Sequence, residues 1–459
     1  MVGDYSESTR PNFPSFLLEL LSHQNFLDME FALDPRFRFE VSRSIYKGML
    51  RFLSVQHNFK YIVQPLPVDH FSLEFVNNNS LKLKWKAKLD PLEPTAVPNE
   101  YIVYTRIDDG DFDNGYLVQD TSFVVNNIET NKIYSFKVTA VNDGGESFPS
   151  EILSAAKADN HKEPLLIINA FDRICGPRSV NTKEFTGFIN YLDAGVPYKY
   201  DINFTGAQYD FNPNSPYITN DFPGFGASHS NYETKIIAGN TFDFPYIHGK
   251  AILNTGYSFV SSSNESVWDD DINISKYKFV DIILGEEKET SWQKPFTDSV
   301  NGKQFKTFPL KFRIVIKKYT ETGWNLFISG AYVGTDLYSK RDTVDIKFAA
   351  QVLKYNWQAG YASVDGKVES IKDSILDKNI LLHFNTELND SIYAVEAPDA
   401  ILPVKESKSI LRYSENNFSA GTAYKDKYGV IVLGFPFETI LGEKEKDQLM
   451  HGILNYLGL

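Results

Sequence analysis

Two histidines and an aspartate in neighbouring segments are side chains whose types and spacing could support chemistry. The chain has 8 histidines in 459 residues, and His229, Asp243 and His248 fall within twenty residues of one another. A set of this kind can serve as acid–base groups or as metal ligands. The same residue types also cap helices and brace loops, and the sequence leaves that alternative open.

A second candidate is the turn that contains Gly330, Tyr332 and Gly334. A glycine–nucleophile–glycine turn between a strand and a helix is typical of a nucleophile elbow. Tyr332 occupies the nucleophile position, but tyrosine is a weak nucleophile at its usual pKa near 10. Asp336 follows this turn and Glu438 follows the last apolar run, so both are further candidates for the same cleft.

The residues around these candidates predict an α/β domain over 159–459. Continuous apolar runs are typical of strands that are buried on both faces, and they occur at residues 164–170, 279–284, 324–329 and 428–434. Helices are predicted between and after these runs, at residues 182–192, 230–238, 342–353 and 443–457. Alternating strands and helices predict a doubly wound parallel sheet, whose functional groups lie at the carboxyl ends of the strands.

Residues 64–158 have the alternating pattern of a β-sandwich. Trp85 is expected in the core and Tyr134 at a tyrosine corner. The tryptophan, the strand Tyr-Ser-Phe-Lys-Val-Thr-Ala-Val-Asn and the Ser-Phe-Pro-Ser-Glu ending together resemble a fibronectin type III domain. The acid-rich loop at residues 108–115 lacks the spacing of an EF-hand, so we interpret it as a polar connection.

The first 63 residues begin with an apolar run at residues 16–18, which predicts a strand followed by Glu19. Asn25 is expected to open a helix, and a second helix is predicted from Asp34 to Leu53. This segment resembles the C-terminal part of the zinc-dependent N-acetylmuramoyl-L-alanine amidases. The resemblance implies that Glu19 is a catalytic carboxylate beside zinc. The ligands for zinc are not in this chain, so zinc is expected only for a complete amidase domain, and no other cofactor is expected.

Composition limits the classes of function. A length of 459 residues favours two or three domains, and the net charge of −13 disfavours nucleic acid as a partner. Cys175 is the single cysteine, which excludes an intrachain disulfide and a cysteine zinc site. No apolar run is long enough to span a bilayer, and no signal peptide precedes the first domain. Because the chain starts inside a fold that resembles a known family, we expect a sequence that is truncated relative to its gene.

The last domain resembles the class I glutamine amidotransferase-like fold, with Tyr332 where that fold usually has cysteine. The order of amidase tail, fibronectin type III domain and amidotransferase-like domain resembles multidomain proteins of Bacteroidetes, described as cell-wall amidases or as xanthan lyases. This resemblance implies a secreted, periplasmic or cell-surface protein, expected to be a monomer. It also implies a non-catalytic accessory region that binds peptidoglycan or a surface polysaccharide. The alternatives are a polysaccharide-active protein and an independent hydrolase that uses the α/β cleft.

Overall fold

The computed structural model describes residues 10–22, 25–77, 79–160, 162–202, 211–216, 236–292, 302–372, 374 and 380–459. His229 and residues 230–235 of one predicted helix lie outside the described residues. Among the described residues, no helix is long and apolar enough to cross a membrane.

Two capped helices dominate the first segment, as predicted. Asn25 precedes helix α1 (Phe26–Ala32), and its side chain accepts hydrogen bonds from the backbone N–H groups of the first turn at 3.0 and 3.4 Å. Asp34 caps helix α2 (Pro35–His57) in the same way, and its Oδ1 accepts a hydrogen bond of 2.9 Å from the Arg36 nitrogen. These caps satisfy amide groups that a helix leaves without partners, so the helix starts follow from the sequence.

The predicted strand at residues 16–18 is wrong, and so is the description of this segment as an α/β remnant. Within the described part of residues 10–63, the regular elements are the two helices. Phe16, Leu17 and Leu18 are 62%, 44% and 49% exposed. A strand persists through hydrogen bonds to a neighbouring strand, and no described strand pairs with this run.

The second segment is a β-sandwich, as the alternating pattern predicts. One sheet pairs its strands in the order β1–β2–β5 and the other in the order β4–β3–β6–β8, with β7 beside β6. The strands are β1 (Asp69–Asn77), β2 (Ser80–Lys86), β3 (Glu100–Ile107), β4 (Tyr116–Val118), β5 (Ser122–Asn126), β6 (Ile133–Asn142), β7 (Gly145–Glu146) and β8 (Leu153–Ala156).

Two aromatic residues have the roles that the sequence predicts for them in this sandwich. Trp85 is buried, and its ring lies edge-on to Tyr101 with the ring centroids 5.5 Å apart. The Tyr134 hydroxyl accepts a hydrogen bond of 3.1 Å from the backbone nitrogen of Glu129. The tyrosine corner therefore ties the start of β6 to the chain just before it.

The remaining residues form a mixed sheet with helices. Its strands are β9 (Leu165–Asn169), β14 (Phe259–Ser263), β15 (Phe279–Gly285), β18 (Asn325–Gly330), β20 (Lys367–Ser370), β21 (Leu381–His383), β23 (Lys408–Tyr413), β24 (Ser419–Lys425) and β25 (Gly429–Leu433). Smaller pairs are formed by β10 (Ser179–Asn181), β11 (Thr186–Phe188), β12 (Tyr200–Ile202), β13 (Ile236–Ala238), β16 (Thr290–Ser291), β17 (Lys303–Gln304), β19 (Tyr355–Ala359) and β22 (Ala400–Pro403).

The helices of this part are α3 (Phe244–Asn254), α4 (Asn264–Trp268), α5 (Leu310–Thr320), α6 (Thr335–Tyr338), α7 (Thr343–Phe348) and α8 (Glu443–Leu457). A π-helical turn at Ala349–Leu353 extends α7, and 3₁₀ turns lie at Ile274–Lys276 and Phe437–Thr439. The predictions of helices at 342–353 and 443–457 are therefore confirmed.

Five strands of the large sheet are parallel, in the order β14–β9–β15–β18–β25. Numbered along the chain, these strands have the order 2-1-3-4-5, and β24 then continues the sheet in antiparallel fashion. From β9 the chain continues to β14 on one side, and it then crosses to β15, β18 and β25 on the other side. The order therefore reverses direction between β9 and β15. In sheets of this kind, ligands bind beyond the carboxyl ends of the strands at such a reversal.

One predicted helix is wrong, and the described end of another is a strand. Residues 182–192 include strand β11 of a short hairpin, in which Thr182 Oγ1 accepts a hydrogen bond of 2.9 Å from the Phe185 nitrogen. This local turn gives the backbone hydrogen bonds that compete with a helix. Residues 236–238, the described end of the other predicted helix, form β13 against β12.

The sandwich and the large sheet are joined at strand β14. Phe259 of β14 pairs with Ala156 of β8, and Ser262 pairs with Ser72 of β1, both in antiparallel fashion. One hydrophobic cluster then runs from Trp85 in the sandwich to the side chains on one face of β9 and β15. The two parts therefore share a core as well as backbone hydrogen bonds.

We predict that Tyr134→Phe lowers the free energy of unfolding by about 1 kcal/mol, because it removes a single hydrogen bond from a buried corner. Urea unfolding followed by fluorescence measures the change. Tyr116→Phe is the matched control, since Tyr116 is 62% exposed in the same sandwich. An unchanged midpoint for Tyr134→Phe would show that the hydroxyl bond does not stabilise the fold.

Candidate ligand-binding cleft

A cleft of about 1590 Å³ opens at the carboxyl ends of the first strands of the parallel sheet. Its walls come from three parts of the chain: helix α2, the sandwich, and the loops that follow β9, β14 and β15. Sites for small molecules usually measure about 300–1,000 Å³. This cleft is larger, which suits an extended ligand better than a single small molecule.

Carboxyl groups stand where each of these three strands ends. Asp172 lies three residues after β9, Glu265 lies in the first turn of α4 directly after β14, and Glu287 lies two residues after β15. Parallel strands deliver their carboxyl ends to one edge of the sheet, so the topology brings the three acids together. All three side chains line the cleft.

Hydrogen bonds hold these carboxyl groups in place. Glu287 Oε2 accepts from the backbone nitrogens of Asp172 and Arg173 at 2.9 and 2.8 Å. Asn264 Nδ2 donates to Asp172 Oδ2 at 2.6 Å. The loops after β9, β14 and β15 are thus connected through Asp172.

The sandwich adds two more acids to the lining. Glu151, just before β8, accepts a hydrogen bond of 2.5 Å at Oε2 from Nδ2 of the buried Asn169 in β9. Asp69 lies at the start of β1 and is 3.1 Å from the ring of His70. We call Asp69, Glu151, Asp172, Glu265 and Glu287 the acidic cluster.

Burial and nearby negative charge raise the pKa values of Glu151, Asp172, Glu265 and Glu287. Burial is the larger cause for Asp172, whose pKa rises to about 6 with a contribution from the negative charge of Asp69. Burial, followed by the charges of Asp172 and Asp69, raises the pKa of Glu265 well above its usual range. Burial and Asp172 also raise the pKa values of Glu151 and Glu287. Groups with such shifts in a cleft are candidates for function.

Aromatic side chains cover much of the remaining wall. Phe148 is 52% exposed, and its ring lies 6.0 Å from that of Phe39 on α2. Tyr198 and Phe242 form a second pair, with centroids 5.6 Å apart. The other aromatic residues of the lining are Tyr46, Phe71, Tyr200, Trp268 and Phe305.

The turn around Tyr332 does not provide a nucleophile. It joins β18 to α6 as predicted, but Tyr332 is not among the residues with positive φ and therefore lacks the strained backbone of a nucleophile elbow. Its ring is buried beneath the cations of Arg173 and Lys288. Burial also raises the pKa of its hydroxyl well above 10, which opposes ionisation.

His248 and Glu438 meet in the structure, but inside the core. His248 Nδ1 is 2.8 Å from Asp281 Oδ2, and His248 Nε2 is 3.2 Å from Glu438 Oε2. The Tyr393 hydroxyl donates to the other oxygen of Glu438 at 2.6 Å. His248, Asp281 and Glu438 are 0–1% exposed, so this network binds helix α3 to β15 and the last turn rather than facing a ligand.

The other predicted site residues lie apart from the cleft wall. Asp243 precedes α3 and forms an ion pair of 2.8 Å with Arg106 of the sandwich. Asp336 is buried and accepts from Glu289 N and from Thr307. Glu19 is exposed in the irregular segment before α1.

Sequence reasoning missed the acidic cluster, although part of its signal was present. Asp172, Glu265 and Glu287 each follow a buried strand within three residues, as strand-end site residues do. The strand at 259–263 reads Phe-Val-Ser-Ser-Ser. Because three of its five residues are serines, it lacks the continuous apolar run by which the other buried strands were predicted.

A metal centre has no geometric support among the described residues. No group of three or more His, Cys, Asp or Glu side chains there is placed so that it could hold a metal ion. The buried Cys175 has its pKa raised to about 11, chiefly by burial, and is not a ready thiolate ligand.

Comparison with known proteins gives one family match. The model of the fibronectin type III domain matches residues 66–156, which contain the sandwich, its tyrosine corner and its buried Trp85. Residues 66–156 form a fibronectin type III domain. The match leaves the rest of the chain without a family, and no curated protein matches the chain.

Several solved structures are similar to part of the chain. A myokine structure is 18% identical and covers 20% of this chain and 98% of its own, with a TM-score of 0.18. Domains d3–d4 of the rat CD45 extracellular region are 20% identical over 21% of this chain and 51% of theirs, with a TM-score of 0.18. The FN5 domain of Drosophila Lar is 18% identical over 20% of this chain and 96% of its own, with a TM-score of 0.17.

The buried His248 network predicts a pH-dependent stability. Burial opposes the charged imidazolium, but the carboxylates of Asp281 and Glu438 raise the pKa of His248 from 6.5 to about 9. Its contribution is therefore complete below pH 6.5 and is lost as pH rises through 9. We expect His248→Gln to lower the free energy of unfolding by about 3 kcal/mol at pH 6 and to reduce the decline between pH 6.5 and 9.

Urea unfolding at a series of pH values tests this prediction. His451→Gln is the control, because His451 is an exposed residue of α8. Equal pH profiles for the wild type and His248→Gln would contradict the assignment of charge to His248.

Proposed function

We propose that the chain binds an extended glycan of the bacterial cell surface in the cleft between the fibronectin type III domain and the α/β part. The observation that carries this proposal is the aromatic lining of a 1590 Å³ cleft at the reversal point of a parallel sheet. One face of a sugar ring presents C–H groups that pack on aromatic rings, while its hydroxyls need polar partners. The cleft provides both kinds of surface, with polar groups concentrated at the acidic cluster.

The negative charge of the chain supports this class of ligand over another extended polymer. The net charge of −13 and the acids of the cleft oppose a phosphate backbone. Sugar hydroxyls, in contrast, donate hydrogen bonds to carboxylates. A glycan therefore fits the charge of the cleft better than a nucleic acid does.

We also propose that this chain is an accessory region of a larger protein that carries a cell-wall amidase domain. The support for this proposal is the resemblance of residues 14–53, where Asn25 and the two helices are placed as that family would place them. A secreted or cell-surface location, with peptidoglycan as the ligand, follows from the same proposal. In this arrangement, the present chain positions the glycan and the amidase domain cuts the cell wall.

We expect Phe148→Ala and Tyr200→Ala each to weaken glycan binding by about 5- to 10-fold, because each removes a ring that is more than half exposed in the cleft. Binding is measured by calorimetry with N-acetylglucosamine hexamers and by co-sedimentation with purified peptidoglycan. Tyr191→Ala is the matched control, since Tyr191 is 65% exposed and is not part of the lining. Equal losses in all three variants would argue against the cleft as the binding site.

Hydrolysis of the bound glycan is the second candidate function, favoured by the carboxyl pair of Asp172 and Glu265. The pKa of Asp172 is raised to about 6 and that of Glu265 well above its usual range. A pair in which one carboxyl keeps its proton while the other ionises can donate and accept protons. The earlier hydrolase alternative used Tyr332 and His248, both of which are buried.

If this second function is correct, the wild type releases reducing ends from a glycan substrate, and Glu265→Gln lowers the rate by at least about 100-fold while affinity is retained. Reducing-end release from peptidoglycan strands measures the rate. Asp269→Asn controls for loss of a nearby acid that lies outside the lining. Release that is absent from the wild type, or unchanged in Glu265→Gln, rejects the second function and leaves the binding proposal in place.

A further inference from the structure

The acidic cluster has more negative charge than the cations around it neutralise. Among the described residues, the positive charges of the cleft lining are mostly paired with acids outside the cluster: Arg38 with Asp201, Arg43 with Asp90, Lys303 with Glu289, Lys306 with Asp345 and Lys311 with Asp269. Lys88 is the cation that acts on Asp172 and Glu265, and it is itself 3.7 Å from Asp69.

Two buried asparagines beside the acidic cluster each have a side-chain oxygen that lacks a hydrogen-bond partner among the described residues. Asn264 is 4% exposed and lines the cleft; its Nδ2 donates to Asp172, while its Oδ1 finds no partner among the described residues. Asn169 is fully buried, with Nδ2 on Glu151 and Oδ1 likewise unpartnered. A buried polar atom without a partner is costly and requires an explanation.

The unpartnered amide oxygens are acceptors, and the carboxyl groups are acceptors as well once they are ionised. A donor that carries positive charge would pair with these oxygens and favour ionisation of the carboxyl groups. An ammonium group has three N–H donors and one charge. Its hydrogen bonds to carboxylates span about 2.7–2.9 Å, whereas Mg²⁺ requires oxygens at about 2.0–2.1 Å in octahedral geometry. No three acids of the described residues converge in the way that a metal ion requires.

We propose that the acidic cluster is the subsite for a primary ammonium group of the glycan, and that the ligand carries an amino sugar without its acetyl group. This inference rests on the proposed function. Asp172, Glu265 and Asn264 Oδ1 accept the N–H bonds. Trp268, one helical turn after Asn264 and also in the lining, offers an aromatic ring to the same ligand.

The proposal differs from acid–base catalysis in what Glu265 does. A carboxylate that binds an ammonium group contributes to affinity for the amine. A carboxyl that transfers protons contributes to turnover. The same substitution, Glu265→Gln, separates these roles when affinity and rate are both measured.

The test is calorimetry at pH 6.5 with glucosamine hexamers, N-acetylglucosamine hexamers, MgCl₂ and CaCl₂, each titrated into the full chain. We expect the wild type to bind the amino hexamer at least about 10-fold more tightly than the acetylated one. Glu265→Gln and Asp172→Asn should remove this preference, because each lowers affinity for the amino hexamer at least about 10-fold more than affinity for the acetylated hexamer. Asp120→Asn, an exposed acid of the fibronectin type III domain, should leave both affinities unchanged.

Each other outcome has a defined meaning. Equal affinities for the two hexamers in the wild type overturn the ammonium subsite but keep the glycan cleft. Binding of neither hexamer overturns the proposed function together with this inference. Stoichiometric binding of Mg²⁺ or Ca²⁺ that Asp172→Asn abolishes assigns the cluster to a metal. A preference that persists in Glu265→Gln and Asp172→Asn, or that Asp120→Asn also removes, overturns the subsite.

Discussion

The pairing of β14 with both the parallel sheet and the fibronectin type III domain is the constraint on which the rest of the structure depends. Ser261 of β14 accepts a hydrogen bond from the Ser154 nitrogen at 2.8 Å and donates to its carbonyl oxygen at 2.7 Å. Together with the shared hydrophobic cluster, these bonds fix the domain against the sheet edge. Glu151 and Asp69 are thereby brought close enough to Asp172 for their charges to interact, and the cleft lies beside this junction.

Two groups of buried charged side chains, the His248 network and the acidic cluster, differ in how their charges are paired. Around His248, one imidazolium lies between two carboxylates, and both ring nitrogens have a carboxylate partner, so the network stabilises the fold. In the acidic cluster, five carboxyl groups lie beside unsatisfied amide oxygens, and the cations that act on them include Lys88 and Arg173. Such an imbalance costs stability, and a ligand that supplies the missing charge recovers it.

Local signals in the sequence predicted much of the fold. Caps at Asn25 and Asp34 fixed two helix starts, and continuous apolar runs located β9, β15, β18 and β25. The failures have physical causes. Residues 16–18 have a strand-like pattern, but no described neighbour pairs with them. Residues 182–192 have a helix-like composition, but the local bonds of Thr182 support a hairpin instead.

The sequence by itself determined the fibronectin type III domain, because its tryptophan, tyrosine corner and strand alternation are properties of one continuous segment. It also predicted strands and helices around a parallel sheet in the following part, and the structure has such a sheet. Tertiary structure decided which strand ends meet. Strand order, and the junction at β14, bring together Asp69, Glu151, Asp172, Glu265 and Glu287, which are spread over more than 200 positions of the chain. It also buried Tyr332 and His248, because exposure depends on packing across the sheet rather than on neighbours in sequence.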